Sequence, residues 1–215
     1  MTILIFANGL MGNLDWVRPL LKDDCLIIAA DGGAKHVADL GIEPDIVIGD
    51  FDSIAKELLE QLSSSGALII SHSELKDETD LELALLYAIN HHEGDIKIFG
   101  SLGGRLDQTM GNIFLLAHPA FSGRHIELVE PDQRAWLISV ESQIDGSIGD
   151  TLSLIPFGEG AHIRRTTGLK WELIDEKLPF GPARGISNVM TAKTATVTLE
   201  SGRLLCVHIP THQRL

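Results

Sequence analysis

The segment Ile46-Val47-Ile48-Gly49-Asp50-Phe51-Asp52-Ser53 joins an apolar run to two carboxylates. The apolar run predicts a buried strand that ends at the glycine. If the backbone stays extended through Phe51, Asp50 and Asp52 point to the same side, because side chains alternate along a strand. Two carboxylates held that close repel each other unless a cation lies between them, and Mg²⁺ is a natural choice. Taken alone, the segment favours a simpler interpretation, a solvated turn with an Asp helix cap.

Short apolar runs alternate with helical patterns through the first part of the chain. Six runs are predicted to form buried strands, at residues 3–7, 26–30, 46–48, 67–70, 96–99 and 126–129. Patterns between them, such as Ile54, Leu58 and Leu62 at four-residue spacing, predict amphipathic helices. This alternation indicates βαβ units with right-handed crossovers, and hence a Rossmann-like α/β domain with a mostly parallel sheet covered by helices on both faces.

The pattern changes near Pro131. Residues 194–200 alternate strictly between polar and apolar side chains, which predicts a half-exposed antiparallel strand. Residues 152–157, 163–173 and 204–209 also predict strands, and no long helical pattern follows about Ala120. We therefore predict two domains, an α/β domain at residues 1–131 and an all-β sandwich at residues 132–215.

The charge and the cysteines restrict the possible partners and location. The formal net charge of −13 argues against binding to nucleic acid or to an anionic membrane, both of which require a basic face. Cys25 and Cys206 lie among apolar residues without CxxC spacing, as expected for buried thiols in a reducing compartment. No apolar run reaches membrane-spanning length. We expect a cytoplasmic protein.

Acidic residues recur where the predicted strands lead into helices. Ligands of an open α/β sheet bind at the carboxyl ends of its strands. Four connections should meet there: Asp31-Gly32-Gly33, Gly49-Asp50-Phe51-Asp52, Lys76-Asp77-Glu78-Thr79-Asp80 and Gly103-Gly104-Arg105-Leu106-Asp107. The glycines allow a close approach of the backbone to a ligand, and the basic residues suit phosphate.

Each of these features has a simpler explanation by itself. A Gly-Gly pair is usually a turn, and Thr79-Asp80-Leu81-Glu82 is a helix capping box. Many carboxylates at one edge would nevertheless repel each other without a cation. Together the four connections predict a metal–phosphate site suited to phosphoryl-type transfer, and the absence of a Walker A sequence excludes a P-loop enzyme.

The four segments, in this order, resemble the thiamine pyrophosphokinase family. The second half of the chain resembles the same family at Thr167-Gly168-Leu169-Lys170-Trp171-Glu172-Leu173 and at Ser187-Asn188. Gln108 departs from the His that many bacterial members have after the Asp, although glutamine occurs in other members. The resemblance implies Mg²⁺-dependent transfer of the pyrophosphoryl group of ATP to the hydroxyl of thiamine, which gives thiamine diphosphate and AMP.

The resemblance also implies roles for individual residues. Asp50, Asp52 and Asp80 would be the Mg²⁺ ligands and, with Asp107, the catalytic residues. The nucleotide contacts would be Asp31, Gly32, Gly33, Lys76, Asp77, Thr79 and Arg105. The thiamine contacts would be Asp107, Trp171, Ser187 and Asn188. Family members are homodimers in which thiamine lies between the α/β domain of one subunit and the β domain of the other.

Other interpretations of the same residues stay open. Without the resemblance, Trp171 suits a core or interface aromatic equally well, and Asn188 favours a turn. A pterin alcohol could replace thiamine as acceptor on the same fold. A nucleotide- or thiamine-binding regulator with an incomplete site is a third possibility, although no carboxylate of the motifs is missing.

Overall fold

The structure, a computed structural model, describes residues 1–211 of the 215-residue chain. The chain divides into two compact units, Met1–Glu130 and Pro131–Leu215. The boundary predicted from the sequence lies one residue further on, and residues 212–215 of the predicted second domain lie outside the described residues. Within residues 1–211, no helix is both long enough and apolar enough to cross a membrane.

The first unit alternates strands and helices. Its elements are β1 Thr2–Phe6, β2 Cys25–Ala30, α1 Gly33–Asp39, β3 Ile46–Gly49, α2 Lys56–Ser65, β4 Leu68–Ser71, α3 Asp80–His91, β5 Asp95–Phe99, α4 Leu106–Leu115 and β6 Ile126–Glu130. Two 3-10 turns lie at Arg18–Leu20 and Pro119–Phe121. The strands pair in parallel in the order β6-β5-β1-β2-β3-β4. The predicted parallel α/β sheet is therefore confirmed.

Both faces of this sheet are buried at its central strands, whereas the edge strand β4 is exposed or half-buried along its length, so the prediction of a buried strand at residues 67–70 is wrong about burial. Residues 3–6 of β1 are fully buried although their side chains alternate between the two faces. On one face Leu4 and Phe6 share an apolar cluster with Ala34 and Val37 of α1. Helix α3 packs against β1, β2 and β3. This burial from both sides explains why the strands read as continuous apolar runs in the sequence.

The strand order reverses at β1, whose two neighbours are β2 and β5. Just beyond the paired strands, the Ala7 N–H donates to the Phe99 carbonyl at 2.9 Å and the Gly9 N–H to the Gly100 carbonyl at 2.8 Å. A Cβ at Gly9 would lie 2.2 Å from the Gly100 oxygen, so this close approach requires glycine. Sheets of this kind open a ligand-binding crevice where the strand order reverses.

The second unit consists of antiparallel strands. Its elements are β7 Gln133–Ile138, β8 Glu141–Asp145, β9 Thr151–Thr167, β10 Ile174–Leu178, β11 Asn188–Val189 and β12 Thr194–Ile209. The first part of β9 and the last part of β12 form one sheet with β11 and β7, and their other parts form a second sheet with β10 and β8. One apolar core joins Trp136 and Leu154 of the first sheet to Ile163 and Val197 of the second. The unit is therefore the predicted sandwich.

The two long strands differ from the sequence prediction. Residues 152–157 and 163–167 belong to one strand, as do residues 194–200 and 204–209, because glycines bend these strands without ending them. Gly160 and Gly202 have φ of 115° and 83°, and the register of the β9–β12 pair shifts between Gly202 and Arg203. The predicted strand at residues 163–173 is wrong after Thr167, since Gly168, with φ of 71°, turns the chain away.

Candidate active site

A cleft of about 610 Å³ lies at the carboxyl ends of the strands in the first unit. Its lining residues come from the ends of five strands. They include Asn8 after β1, Asp31 after β2, Asp50 after β3, Lys76 after β4 and Ser101 after β5. The parallel sheet therefore brings distant parts of the sequence together at one edge, as the pattern of strand-to-helix connections predicts.

Three carboxylates converge in this cleft. Asp31, Asp50 and Asp52 each place an oxygen within 4.8 Å of the oxygens of the other two. The condition of an extended backbone through Phe51 is not met, since β3 ends at Gly49 and Phe51 has a left-handed φ of 65°. A turn brings the carboxylates together instead, and the Asp52 N–H donates to Asp50 Oδ1 at 3.3 Å.

Asp31 is the most deeply buried of these carboxylates. It is 4% exposed, and its Oδ1 has no hydrogen-bond partner within the described part of the chain. Burial raises the pKa of the Asp31 carboxyl above its usual value, and the charges of Asp80 and Asp52 raise it further. A buried carboxylate oxygen without a donor, beside two other carboxylates, fits a hard cation.

Lys76 supplies positive charge to the same cluster. Its Nζ lies 2.5 Å from Asp80 Oδ1 and 3.3 Å from Asp50 Oδ2, and its side chain is 12% exposed. Burial would raise the pKa of Asp50, but the Asp52 N–H and the Lys76 ammonium hold it below its usual value. Asp31, Asp50, Asp52 and Asp80 form what we call the acidic cluster. The Lys76 ammonium contacts two of these four carboxylates, and its single positive charge leaves an excess of acidic groups in the cluster.

The loop after β5 forms another wall of the cleft. Gly103 and Gly104 have φ of 84° and 75°, and with Arg105 they line the cleft. The Arg105 guanidinium binds Asp107 through contacts of 3.1 and 2.6 Å, and this bond holds the pKa of Asp107 below its usual value. Both side chains are well exposed. Asp107 does not line the cleft, whereas Gln108 does.

The remaining residues predicted for nucleotide binding differ in position. Thr79 lines the cleft and caps α3, accepting a hydrogen bond from the Glu82 N–H at 3.2 Å. Gly32 and Gly33 do not line the cleft, and Asp77 is exposed outside it. A Cβ at Gly33 would lie 1.9 Å from the Phe6 carbonyl oxygen. The local reason for this glycine is therefore the contact between α1 and β1.

Apart from Asp107, the residues predicted for thiamine binding lie in the second unit. Trp171 is 54% exposed, and the Lys170 ammonium lies 4.7 Å from its ring centroid. Asn188 is buried, and its amide accepts from the Trp171 N–H at 3.1 Å and donates to the Trp171 carbonyl at 2.7 Å. Ser187, with φ of 61°, donates its N–H to Ser153 Oγ at 2.9 Å. The Asn188 side chain thus positions the Trp171 backbone.

Polar residues beside β1 and β5 were not predicted from the sequence. Asn8, Ser101 and Asn112 all line the cleft. Asn112 donates to the Ser101 carbonyl at 2.8 Å, and the Ser101 hydroxyl is buried without a partner among residues 1–211. The sequence did contain a signal for Asn8, since Asn8-Gly9 ends β1 at the same edge as the four acidic connections.

Two family models together match most of the chain. The model for the thiamin pyrophosphokinase catalytic domain matches residues 17–128, and the model for the thiamin pyrophosphokinase vitamin B1 binding domain matches residues 137–204. Thiamine pyrophosphokinase 1 of Oryza sativa subsp. japonica is 34% identical over 210 residues, which cover 85% of this chain and 79% of that protein. The thiamine pyrophosphokinase of Bacillus subtilis is 30% identical over 208 residues, which cover 96% and 97% of the two chains.

Solved structures agree with these matches. The crystal structure of the Bacillus subtilis thiamine pyrophosphokinase superposes with a TM-score of 0.88 at 30% identity and covers 98% of this chain and 100% of that one. The yeast thiamin pyrophosphokinase, at 19% identity and a TM-score of 0.79, shares the fold. The chain therefore belongs to the thiamine pyrophosphokinase family, enzymes whose known reaction is transfer of the pyrophosphoryl group from ATP to thiamine.

Proposed function

We propose that this protein transfers the pyrophosphoryl group of ATP to thiamine in a Mg²⁺-dependent reaction, with Asp50, Asp52 and Asp80 as the metal ligands. The observation that carries the metal assignment is the convergence of the Asp50 and Asp52 oxygens beside the buried, unpartnered Oδ1 of Asp31. Asp80 is connected to this group through Lys76, which contacts both Asp50 and Asp80. Oxygen ligands of this kind suit Mg²⁺. Bound there, Mg²⁺ would hold phosphate oxygens and neutralise the charge that develops on them.

The residues around the acidic cluster are suited to binding a triphosphate. The loop after β5, which contains Gly103 and Gly104 and which we call the glycine-rich loop, offers backbone N–H groups. Lys76 and Arg105 line the same cleft. Arg105 is exposed, so exchanging its bond to Asp107 for a phosphate requires little desolvation. The cleft volume of about 610 Å³ lies in the range of small-molecule sites. Asp31, Gly32, Gly33, Asp77 and Thr79 stay predicted nucleotide contacts.

For the acceptor, we propose that Trp171 and Ser187 contact thiamine. Asp107 is bonded to Arg105 and does not line the cleft, so it would face the reacting hydroxyl once Arg105 has exchanged it for a phosphate. The exposed Trp171 ring already has the Lys170 ammonium 4.7 Å from its centroid, an arrangement that supports binding of a cation such as the thiazolium ring. We assign Asn188 to positioning Trp171, because its amide is already bonded to the Trp171 backbone.

The predicted homodimer, whose subunits share the thiamine sites as the resemblance implies, is tested by light scattering of the purified protein. We expect a reducing compartment such as the cytoplasm, because Cys25 and Cys206 lie among apolar residues without CxxC spacing.

A coupled assay for AMP tests the proposed reaction. The protein is mixed with ATP and Mg²⁺, and either thiamine or a hydroxymethyl pterin is added as acceptor. We expect AMP release that requires thiamine and stops when EDTA removes the metal. Release with the pterin alone would assign a different acceptor to the same site, and no release with either would assign a binding function.

A further inference from the structure

We infer that Lys76 is a built-in counter-ion of the acidic cluster. Its ammonium holds Asp50 and Asp80 together when no divalent cation is bound, and it competes with that cation for both carboxylates. The inference rests on the proposed function, which assigns a metal ion to the same residues. It makes Lys76 a positioning residue for the metal ligands.

The contacts of Lys76 connect separate elements of the fold. Asp50 follows β3, Asp80 is the first residue of α3, and Lys76 lies in the connection between β4 and α3. The Nζ atom reaches both carboxylates, at 3.3 and 2.5 Å, and the side chain is mostly buried. The ammonium therefore has little access to bulk water, and the two carboxylates replace its hydration.

Electrostatic repulsion makes the contacts of Lys76 with Asp50 and Asp80 depend on whether a divalent cation is bound. Without a cation, Asp50 and Asp80 would repel each other and Asp31 across a partly buried site. A single ammonium reduces that repulsion but leaves the acidic cluster negative, so the cluster still attracts a divalent ion. Once such an ion takes the two carboxylates, it repels the ammonium.

A phosphate in the same cleft offers the displaced ammonium a new partner. Lys76 lines the same cleft as Arg105 and the glycine-rich loop, the groups suited to a triphosphate. Moving from the carboxylates to a phosphate would preserve the ion pairing of Lys76. Nucleotide binding and metal binding are therefore coupled through this side chain, because each favours the position of Lys76 that the other needs.

Calorimetric titration of Mg²⁺ into the full-length protein tests the competition. Lys76→Met removes the ammonium, Lys76→Gln removes only its charge, and Lys76→Arg keeps the charge. Lys35→Met, at an exposed position of α1 away from the cleft, is the matched control. We expect Lys76→Met and Lys76→Gln to bind Mg²⁺ at least about tenfold more tightly than the wild type, since one positive charge no longer opposes the ion. Lys76→Arg and Lys35→Met should bind like the wild type.

Two further readouts do not depend on catalysis. In thermal melting, Lys76→Met should be less stable than the wild type without metal, and the increase in Tm on adding Mg²⁺ should be larger for the variant. With a non-hydrolysable ATP analogue present, the difference in Mg²⁺ affinity between variant and wild type should shrink, because wild-type Lys76 then pairs with phosphate.

The outcomes separate the inference from the proposed function. If the wild type binds no Mg²⁺ at millimolar concentration, with or without the analogue, the metal assignment itself fails. If the wild type binds Mg²⁺ and Lys76→Met and Lys76→Gln bind it equally or more weakly, Lys76 is not a competing counter-ion and the inference is overturned.

Discussion

Replacing Asp150 with asparagine should destabilise the second unit, because Asp150 organises a buried polar network. Asp150 is 2% exposed and accepts hydrogen bonds from the Ser147 and Thr211 N–H groups at 2.8 Å each. His208 Nε2 lies 2.8 Å from the same carboxylate, while Arg134 Nε donates to His208 Nδ1 at 3.2 Å. Because Nδ1 accepts this hydrogen bond, we assign the ring N–H to Nε2, which donates a hydrogen bond to the Asp150 carboxylate.

The size of the effect follows from the pKa of Asp150. Burial raises this pKa, but the Ser147 and Thr211 N–H groups and His208 outweigh burial and lower it from 3.8 to about 2. A pKa that is lower in the folded state than in the unfolded state by this amount corresponds to roughly 2 kcal/mol of stability. This stability is fully present above pH 3.8, the ordinary value, and is lost as the pH falls towards about 2. In Asp150→Asn the amide also directs a donor at other donors, so we expect a loss of about 2–4 kcal/mol at pH 7.

Urea unfolding followed by circular dichroism at pH 7 and again near pH 2.5 measures both effects. The difference between wild type and Asp150→Asn should be large at neutral pH and should narrow in acid, where the wild type loses the contribution of its carboxylate. Asp132→Asn, at an exposed turn position of the same unit, is the matched control and should match the wild type at neutral pH. A difference for Asp150→Asn below about 0.5 kcal/mol at pH 7, or one that does not narrow in acid, would refute the reasoning.

Three further substitutions test the site and the packing beneath it. Asp52→Asn should lower kcat by about 100-fold or more with an unchanged circular dichroism spectrum, because it removes a proposed metal ligand; near-normal turnover would remove Asp52 from the metal site. Trp171→Ala should raise the KM for thiamine severalfold with the KM for ATP little changed, whereas an equal loss for both substrates would contradict a local role. Gly33→Ala should lower the free energy of unfolding by more than about 2 kcal/mol, because its Cβ would lie 1.9 Å from the Phe6 carbonyl oxygen. The control is Gly111→Ala in α4, where a Cβ would meet open space, and it should leave the free energy of unfolding unchanged or raise it. Equal effects of Gly33→Ala and Gly111→Ala on this free energy would contradict the packing argument.

The first unit could be predicted from local patterns because its central strands are buried on both faces. Residues 46–48 and 96–99 read as unbroken apolar runs, and the polar residues that follow them mark the ends of the strands. Once the strands are parallel, topology places their carboxyl ends at one edge. The prediction that Asp31 and Asp50 lie close together therefore required only the parallel order of the strands.

The finer geometry depends on contacts that local patterns do not contain. The left-handed backbone conformation of Phe51 costs about 1–3 kcal/mol, and the neighbouring residues in the sequence do not predict it. The continuity of β9 and β12 was missed because a glycine in a strand reads as a stop, although here it marks a bend. The bonds from Asn188 to Trp171 join residues 17 positions apart, so the sequence could suggest a thiamine contact but not a positioning role.

The position of β1 in the middle of the first sheet affects how the nascent chain folds. The strand synthesised first gains β2 early, but its other edge stays unpaired until Asp95–Phe99 has left the ribosome. Such long-range parallel pairing is slow to form and exposes an apolar strand edge in the interval. We expect the yield of native protein to depend on events after β1 and before β5 has been synthesised. A pause in translation or the binding of a chaperone in this interval should change that yield.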